Sequence, residues 1–354
     1  MKKISALLSF AVLCTLSAKE ITDHLDNKIE LKEAPKKIII QGILPLTSVF
    51  TVFNGGNSEL IGIPLSAKKA AQYSLLDKFF PNTKNISTEF DGGIDANAEA
   101  IMAANPDAVF YRTDYKPVAD KLLAAKIPAI GFSTSKFGQD AIKTFDAWLS
   151  LLGDIMGKED KAKGIVEHAY EVQQHVKNRV ENGIAKEGGK KLRAIALFRF
   201  KNGVINVSGK KSFSSFWFAN TGLENAYTGE KGSEQISLEE LYALDPDIIF
   251  ITNFTSLQPK DMEKPIENID FSKLKAVQDK RVYKFPLGMY RYSPPASEVP
   301  LVFKWMAKTA YPQHFTDMNL EQEIKDFYKR FYDITLSDED VHSILNPASE
   351  AGDV

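Results

Sequence analysis

The stretch Glu99-Ala-Ile-Met-Ala-Ala-Asn-Pro-Asp-Ala-Val-Phe110 aligns without gaps on Glu239-Glu-Leu-Tyr-Ala-Leu-Asp-Pro-Asp-Ile-Ile-Phe250. The two copies match at Glu99 and Glu239, Ala103 and Ala243, Pro106 and Pro246, Asp107 and Asp247, and Phe110 and Phe250. Each copy reads as a short helix, a Pro-Asp breaker and a buried strand, because the residue before a proline is driven out of helical geometry. A repeat of this kind predicts two lobes of like construction, one copy in each.

Working outward, Lys37 to Gln41 is an apolar run introduced by Ala34-Pro35 and reads as a strand. Leu46 to Phe53 reads as a helix and Glu59 to Ile63 as a second strand, which makes a βαβ unit. Between the echoes, Gln139 to about Glu187 has no proline and carries apolar residues at helical spacing, from Ile142, Phe145 and Trp148 to Val172, Val176 and Val180. Gly153 and Gly157 are candidate breaks. The part from Lys158 is long enough, at roughly 45 Å, to bridge two lobes. After Gly188-Gly189, Leu192 to Phe198 starts the second lobe as a strand. Strand Val204 to Val207, helix Phe213 to Thr221, a strand over Arg281 to Phe285 and helices over 300–309, 320–332 and beyond Ser337 complete it. The expected fold is α/β: two Rossmann-like lobes joined by a single long α-helix, with a cleft between them. The boundaries read as 1–18 for a leader, 19–138 for the N-terminal lobe, 139–188 for the link and 189–354 for the C-terminal lobe with its helices.

The leader has two lysines, an apolar stretch from Ile4 to Leu16, and small residues Ser17 and Ala18 before Lys19. That is the pattern of a cleavable secretory signal, too short to span a bilayer. Cys14 is the single cysteine and lies inside it. Lipid anchoring is not expected, because Leu13 is a poor substitute for the small residue a lipoprotein cleavage site needs. A 354-residue chain with 44% hydrophobic residues can hold itself together without disulfides. Lys plus Arg number 44 against 46 Asp plus Glu, so no basic excess argues for nucleic acid or an anionic membrane.

These pieces resemble the helix-linked (class III) periplasmic binding proteins of ABC importers, which carry iron-siderophores, haem, cobalamin, nickel chelates or oxyanions. The resemblance rests on Ala34-Pro35-Lys-Lys-Ile38, the two echoes, the helix between them, and Ala276-Val-Gln-Asp-Lys-Arg-Val-Tyr-Lys-Phe285. It implies a periplasmic, monomeric protein that catalyses nothing, carries no cofactor of its own and delivers a small-molecule metal chelate to an inner-membrane permease dimer with its ATPase. An Fe(III)-siderophore is the expected cargo; a nickel-histidine chelate or a molybdate-like oxyanion is the alternative. An exported hydrolase is disfavoured by the absence of a Gly-x-Ser-x-Gly elbow, a His-Glu-x-x-His motif and a phosphate loop.

Arg112, Arg199 and Arg291 follow apolar runs read as strands, where α/β proteins meet ligands, and guanidinium forks suit carboxylate, catecholate or oxyanion cargo. The resemblance supports Arg112 and, less closely, Arg199. Taken singly, each arginine also reads as an ordinary surface ion pair. Tyr111, Tyr115, Tyr290 and Tyr292 flank these arginines and, with Trp217, are the candidate aromatic walls. Phe213, Phe216 and Trp217 share helical spacing, so at least one reads as core. No cluster of His with carboxylates points to direct metal ligation: His168 and His175 are two helical turns apart, read as a solvated face, and the metal is expected to arrive chelated. The resemblance assigns Glu99 and Glu239 to docking against permease arginines; each equally suits a helix start, where a carboxylate favours the macrodipole.

Overall fold

The computed structural model describes residues 19–91 and 98–353, so the leader and its expected cleavage lie outside the described residues. In chain order the elements are β1 (Lys19–Thr22), β2 (Lys28–Leu31), β3 (Ile38–Gln41), α1 (Leu44–Asn54), β4 (Leu60–Gly62), α2 (Leu65–Ala71), α3 (Leu76–Phe79), α4 (Ala98–Ala104), β5 (Ala108–Arg112), α5 (Lys116–Ala124) and β6 (Ala129–Phe132). The linking helices α6 (Ala141–Met156) and α7 (Glu159–Lys186) come next. The second lobe holds β7 (Leu192–Lys201), β8 (Val204–Ser208), α8 (Phe213–Asn220), β9 (Leu223–Asn225), β10 (Ser233–Ile236), α9 (Leu238–Leu244), β11 (Ile248–Ile251), α10 (Lys275–Gln278), β12 (Val282–Lys284), α11 (Val299–Ala310), α12 (Leu320–Tyr332) and α13 (Asp338–Leu345).

The first lobe is a parallel sheet in the order β4-β3-β5-β6, and β1 and β2 form a separate antiparallel hairpin. The second sheet runs β10-β8-β7-β11-β12, with β9 also pairing β7; β7, β9, β11 and β12 are parallel, and β8 and β10 are antiparallel additions. Period-two alternation assigns the faces. Ile38, Ile40, Ala108, Phe110, Ile130 and Phe132 join the same large core as Ala194, Ala196, Ile248 and Phe250 of the other sheet. Their neighbours Ile39, Val109 and Ala129 pack under α4 and α5, while Ile195, Leu197, Ile249 and Ile251 pack with Leu241 of α9. Both echo helices therefore cover the outward face of their sheet.

The echoed Pro-Asp has a structural job in each copy. Asn105 and Asp245 take left-handed backbone before the proline and end the helix. The Asp107 carboxylate accepts from the backbone N–H of Lys36 and Lys37 (2.8 and 2.9 Å), which ties β5 to the start of β3. Asp247 accepts from Arg193 N–H (2.9 Å) and from Lys275 Nζ (2.7 Å), which ties β11 to the start of β7.

The two lobes share the core of α6, α7, α11 and α12. Asp140 caps α6 through Lys143 N–H, and left-handed Gly157 ends it. Gly153 lets the turn into α7 close, since a Cβ there would press on Ala162 and Glu159. The 28 residues of α7, about 42 Å long, bury Ile165, Ala169, Val172, Val176 and Val180 along one stripe. This continuous helix links the lobes. His168 departs from the solvated reading: it is half-buried against Phe327 and Phe331, because α12 lies across that face.

Candidate functional site

A cleft of about 330 Å³ opens at the edge of the second sheet, beside the start of the linking segment. Gln139, just before α6 at the start of the linking segment, faces it, and the second lobe supplies the rest of the lining. One wall comes from the Ser208-Gly-Lys-Lys-Ser-Phe-Ser-Ser215 turn between β8 and α8. There Ser212 Oγ caps Ser215 N–H (3.2 Å), and Gly209 C=O accepts from Ser212 Oγ (2.6 Å) and Ser215 Oγ (2.8 Å). Gly209 admits no side chain, because a Cβ would collide with the Lys231 and Gly229 carbonyls. The hydroxyls of Ser208 and Ser214 are bonded to each other at 3.2 Å, and Ser233 and Ser293 complete a hydroxyl-rich lining. Among the described residues Lys211 is the one cationic side chain on this lining, and it is exposed. Phe198 and Phe254, ring centroids 5.1 Å apart, and Phe213 supply the apolar part.

The three predicted arginines are not brought together on this lining. Arg112 ends β5, but its fork is closed on Asp114 (Nε–Oδ1 2.6 Å, Nη2–Oδ2 2.8 Å), and its guanidinium lies 4.5 Å over the Tyr115 ring. The hydrogen bond from Arg112 holds the Asp114 carboxyl below its usual range. Arg199 is not beyond a strand end: β7 continues to Lys201 and turns through Asn202 and Gly203, both left-handed, into β8. Its side chain is exposed, donates from Nε to Phe254 C=O (3.3 Å), and lines a neighbouring polar pocket instead. Arg291 is 1% exposed, donates from Nη2 to Ala351 C=O (3.1 Å), and stacks 4.5 Å over Phe254 on the far side of the cleft wall.

The aromatic candidates are mostly core. Tyr111 is buried on the outward face of the first sheet, where burial and then Asp23 push its phenol well up. Tyr115 is buried beneath Arg112, against left-handed Gly42, where a Cβ would strike its ring. Tyr290 packs with Leu44, Ala70 and Ala296, where residues 286–298 of the second lobe meet the first. Tyr292 is 1% exposed beside Glu298, whose own carboxyl burial pushes up to about 7. Trp217 is fully buried edge-on to Phe216 and Phe303, and it reaches the site only by donating its indole N–H to Ser293 C=O (2.8 Å). Glu99 and Glu239 are exposed in the first turns of α4 and α9. Among the described residues, no group of three or more His, Cys, Asp or Glu is placed to hold a metal ion, and no helix is long and apolar enough to cross a membrane.

Sequence reasoning missed Lys211, the serines, Gln139 and Phe254. Two signals pointed to them: the Ser- and Gly-rich run between a strand and a helix, and Asn202-Gly203 flanked by strand residues, a hairpin signature that carries β7 past Arg199.

Two sheets bridged by one helix, with a small hydroxyl-lined cleft in the second lobe beside the linking segment, define a two-lobed solute-binding protein. Residues 57–287 match the family described as periplasmic binding protein, and the chain belongs to that family. Its members are substrate-binding proteins of ABC transporters, not enzymes, and act outside the cytoplasm. The chain is 23% identical to the molybdate-binding protein MolA of Haemophilus influenzae, over 93% of this chain and 95% of that one. It is similar to a periplasmic solute-binding protein from Veillonella parvula, with TM-score 0.84 and 29% identity over 93% of this chain and 97% of that one. A Helicobacter pylori protein solved as a nickel-histidine complex shares the fold, with TM-score 0.68 and 20% identity over 93% of this chain and 99% of that one.

Proposed function

We propose that the cleft takes a compact anion, an oxyanion of the molybdate kind or a small anionic metal chelate, and that the protein hands it to an ABC permease dimer with its ATPase. The observation that carries this is the lining itself: the hydroxyls of Ser214, Ser233 and Ser293 face the cleft beside a turn whose other serines fix its shape, with the exposed Lys211 as the cation at the rim. Serine hydroxyls and a lysine donate to an oxyanion without dehydrating a second charge. A volume of about 330 Å³ is at the small end for ligand cavities. The likeness to a molybdate-binding protein supports the same choice.

An Fe(III)-siderophore with aromatic arms is the second reading, favoured by Phe198, Phe213 and Phe254, whose rings suit stacking. Isothermal titration against sodium molybdate, Ni(II)-histidine and an Fe(III)-catecholate, with bare Ni(II) and Zn(II) as controls, tests both. Stoichiometric binding of molybdate or the small chelate is expected, and none of the bare ions. Binding of the catecholate alone would transfer the assignment to the second reading; tight binding of a bare cation would end both.

Glu99 and Glu239 are proposed to dock the permease. Both are exposed, open corresponding helices, and cover corresponding sheet faces, a pairing suited to a symmetric partner. Export by a leader cleaved after Ala18 and a monomeric state in solution are proposed with them, read out by N-terminal sequencing and light scattering.

A further inference from the structure

We propose that the segment Ser349–Gly352 is a clamp that positions the cleft wall through Arg291, which acts as a positioning residue rather than as a ligand for cargo. The clamp rests on the reading of the cleft given above, and it concerns how that cleft keeps its shape.

The contacts form a continuous chain from the segment to the lining. Ala351, in the 3₁₀ turn Ser349–Gly352, accepts from Arg291 Nη2 at 3.1 Å. The Arg291 guanidinium lies 4.5 Å over Phe254, and Phe254 lies 5.1 Å from Phe198; both phenylalanines line the cleft. Two residues after Arg291, Ser293 also lines it, held by the Trp217 indole. The segment seats against backbone, not against flexible side chains: a Cβ on Gly352 would strike the Thr255 carbonyl group and the Ser256 nitrogen. From the other side, Lys284 Nζ holds the same loop through the Thr255 and Leu257 carbonyls at 2.6 and 2.8 Å.

This arrangement explains why a 1%-exposed arginine sits beside a ligand cleft without facing it. A cation stacked on a ring and bonded to a carbonyl fixes that ring's plane, since cation–π attraction and a charge-assisted hydrogen bond act together on one planar group. A wall fixed before cargo arrives loses less on binding than one that must be ordered.

The test needs one thiol and no cargo. In a Cys14→Ser, Ser293→Cys background, labelling by Ellman's reagent reports opening of the wall. Gly352→Val, and separately a chain ended after Pro347, should raise the labelling rate about tenfold by local opening. Gly183→Ala, which presses on His314, a residue outside the cleft lining, is the control for general destabilisation and should leave labelling unchanged. With Ser293 restored, the same two tail changes should weaken binding of the molybdate probe about tenfold, the cost of a wall no longer preorganised. Arg291→Lys, which keeps the charge but loses the planar fork, should label like the tail variants. Labelling that stays at the parent rate in both tail variants overturns the clamp. Failure of molybdate to bind the parent would instead overturn the anion reading and leave the labelling result standing.

Discussion

At the end of β5 the first lobe has its charge already spent, whereas the second lobe presents the cleft with hydroxyls and one lysine. Arg112, the cation nearest the end of β5, is forked on Asp114 and stacked on Tyr115, whereas Lys211 stands exposed on a turn whose serines are bonded mainly to each other and to Gly209. Both lobes start from the same Pro-Asp clip and the same covering helix. The difference lies beyond the shared frame, in the segments that leave the strands: a helical turn after β5 and a hairpin after β7. Frame and recognition are therefore separable in this protein, and each can be disturbed without the other.

The largest effect is expected where the two lobes act alike. Changing Glu99 and Glu239 together to Lys should abolish uptake in cells, because like charges facing permease arginines cost several kcal/mol. Cargo affinity should stay within about 0.5 kcal/mol, as for surface changes away from special features. Normal uptake by the stably expressed double variant would reduce both residues to helix-start carboxylates.

Where the lobes differ, single changes should separate them. Lys211→Ala should weaken binding of the molybdate probe by about 1.5–3 kcal/mol, the range for a hydrogen bond to a charged group. Arg112→Ala should change it by no more than about 0.5 kcal/mol and cost under about 1 kcal/mol of stability, as an exposed pair does. Calorimetry showing the reverse ranking would move the anion site to the first lobe.

The clips test the frame. Asp247→Ala should cost about 2 kcal/mol in urea unfolding and Asp107→Ala about 1, because Asp247 is more enclosed and one of its two partners is the Lys275 ammonium, whereas both partners of Asp107 are backbone N–H groups. Burial pushes the Asp247 carboxyl up, but the Arg193 N–H and Lys275 outweigh it and hold the group below its usual range. Its contribution is therefore present above the unfolded carboxylate value and is lost as pH falls through the lower folded one. Equal costs for the two clips would mean that an ammonium in place of a second backbone N–H adds nothing.

The smallest and most local effect belongs to the β1–β2 hairpin. His24 accepts Ser133 N–H at Nδ1 (2.9 Å), with Nε2 3.2 Å from Ala147 C=O, and burial pushes its imidazole below the usual range. A folded value below the unfolded one means that its stabilisation is complete above about pH 6.5 and is lost as pH falls through the folded value. Hydrogen exchange at the Ser133 amide should accelerate in acid, corrected for intrinsic rate, and His24→Gln should flatten that response. An unchanged profile in the variant would assign the acid response to another group.

The two-lobed α/β frame was legible because its causes are local. Proline ends helices wherever it stands, apolar residues at period two or 3.6 select an inward face, and the repeated Pro-Asp marks the same joint twice. The linking helix and most strands lie within a few residues of where those patterns place them. The site was legible only in part. That Arg112 ends a strand can be read along the chain, but which way its side chain turns cannot; Arg199 falls inside β7, and the apolar run before Arg291 is irregular rather than a strand. Asp114 is two residues from Arg112, close enough for the pairing to show in the sequence; the Ala351 carbonyl, sixty positions from Arg291, is not. A tyrosine beside an arginine reads as a cleft wall until the other lobe packs against it, as it does at Tyr290. Sequence by itself determined the elements, their order and the repeated clip, since these depend on neighbours along the chain. Only the tertiary structure decided which cations are already paired and which hydroxyls share one cavity, because charge pairing and burial depend on groups brought together from distant parts of the chain.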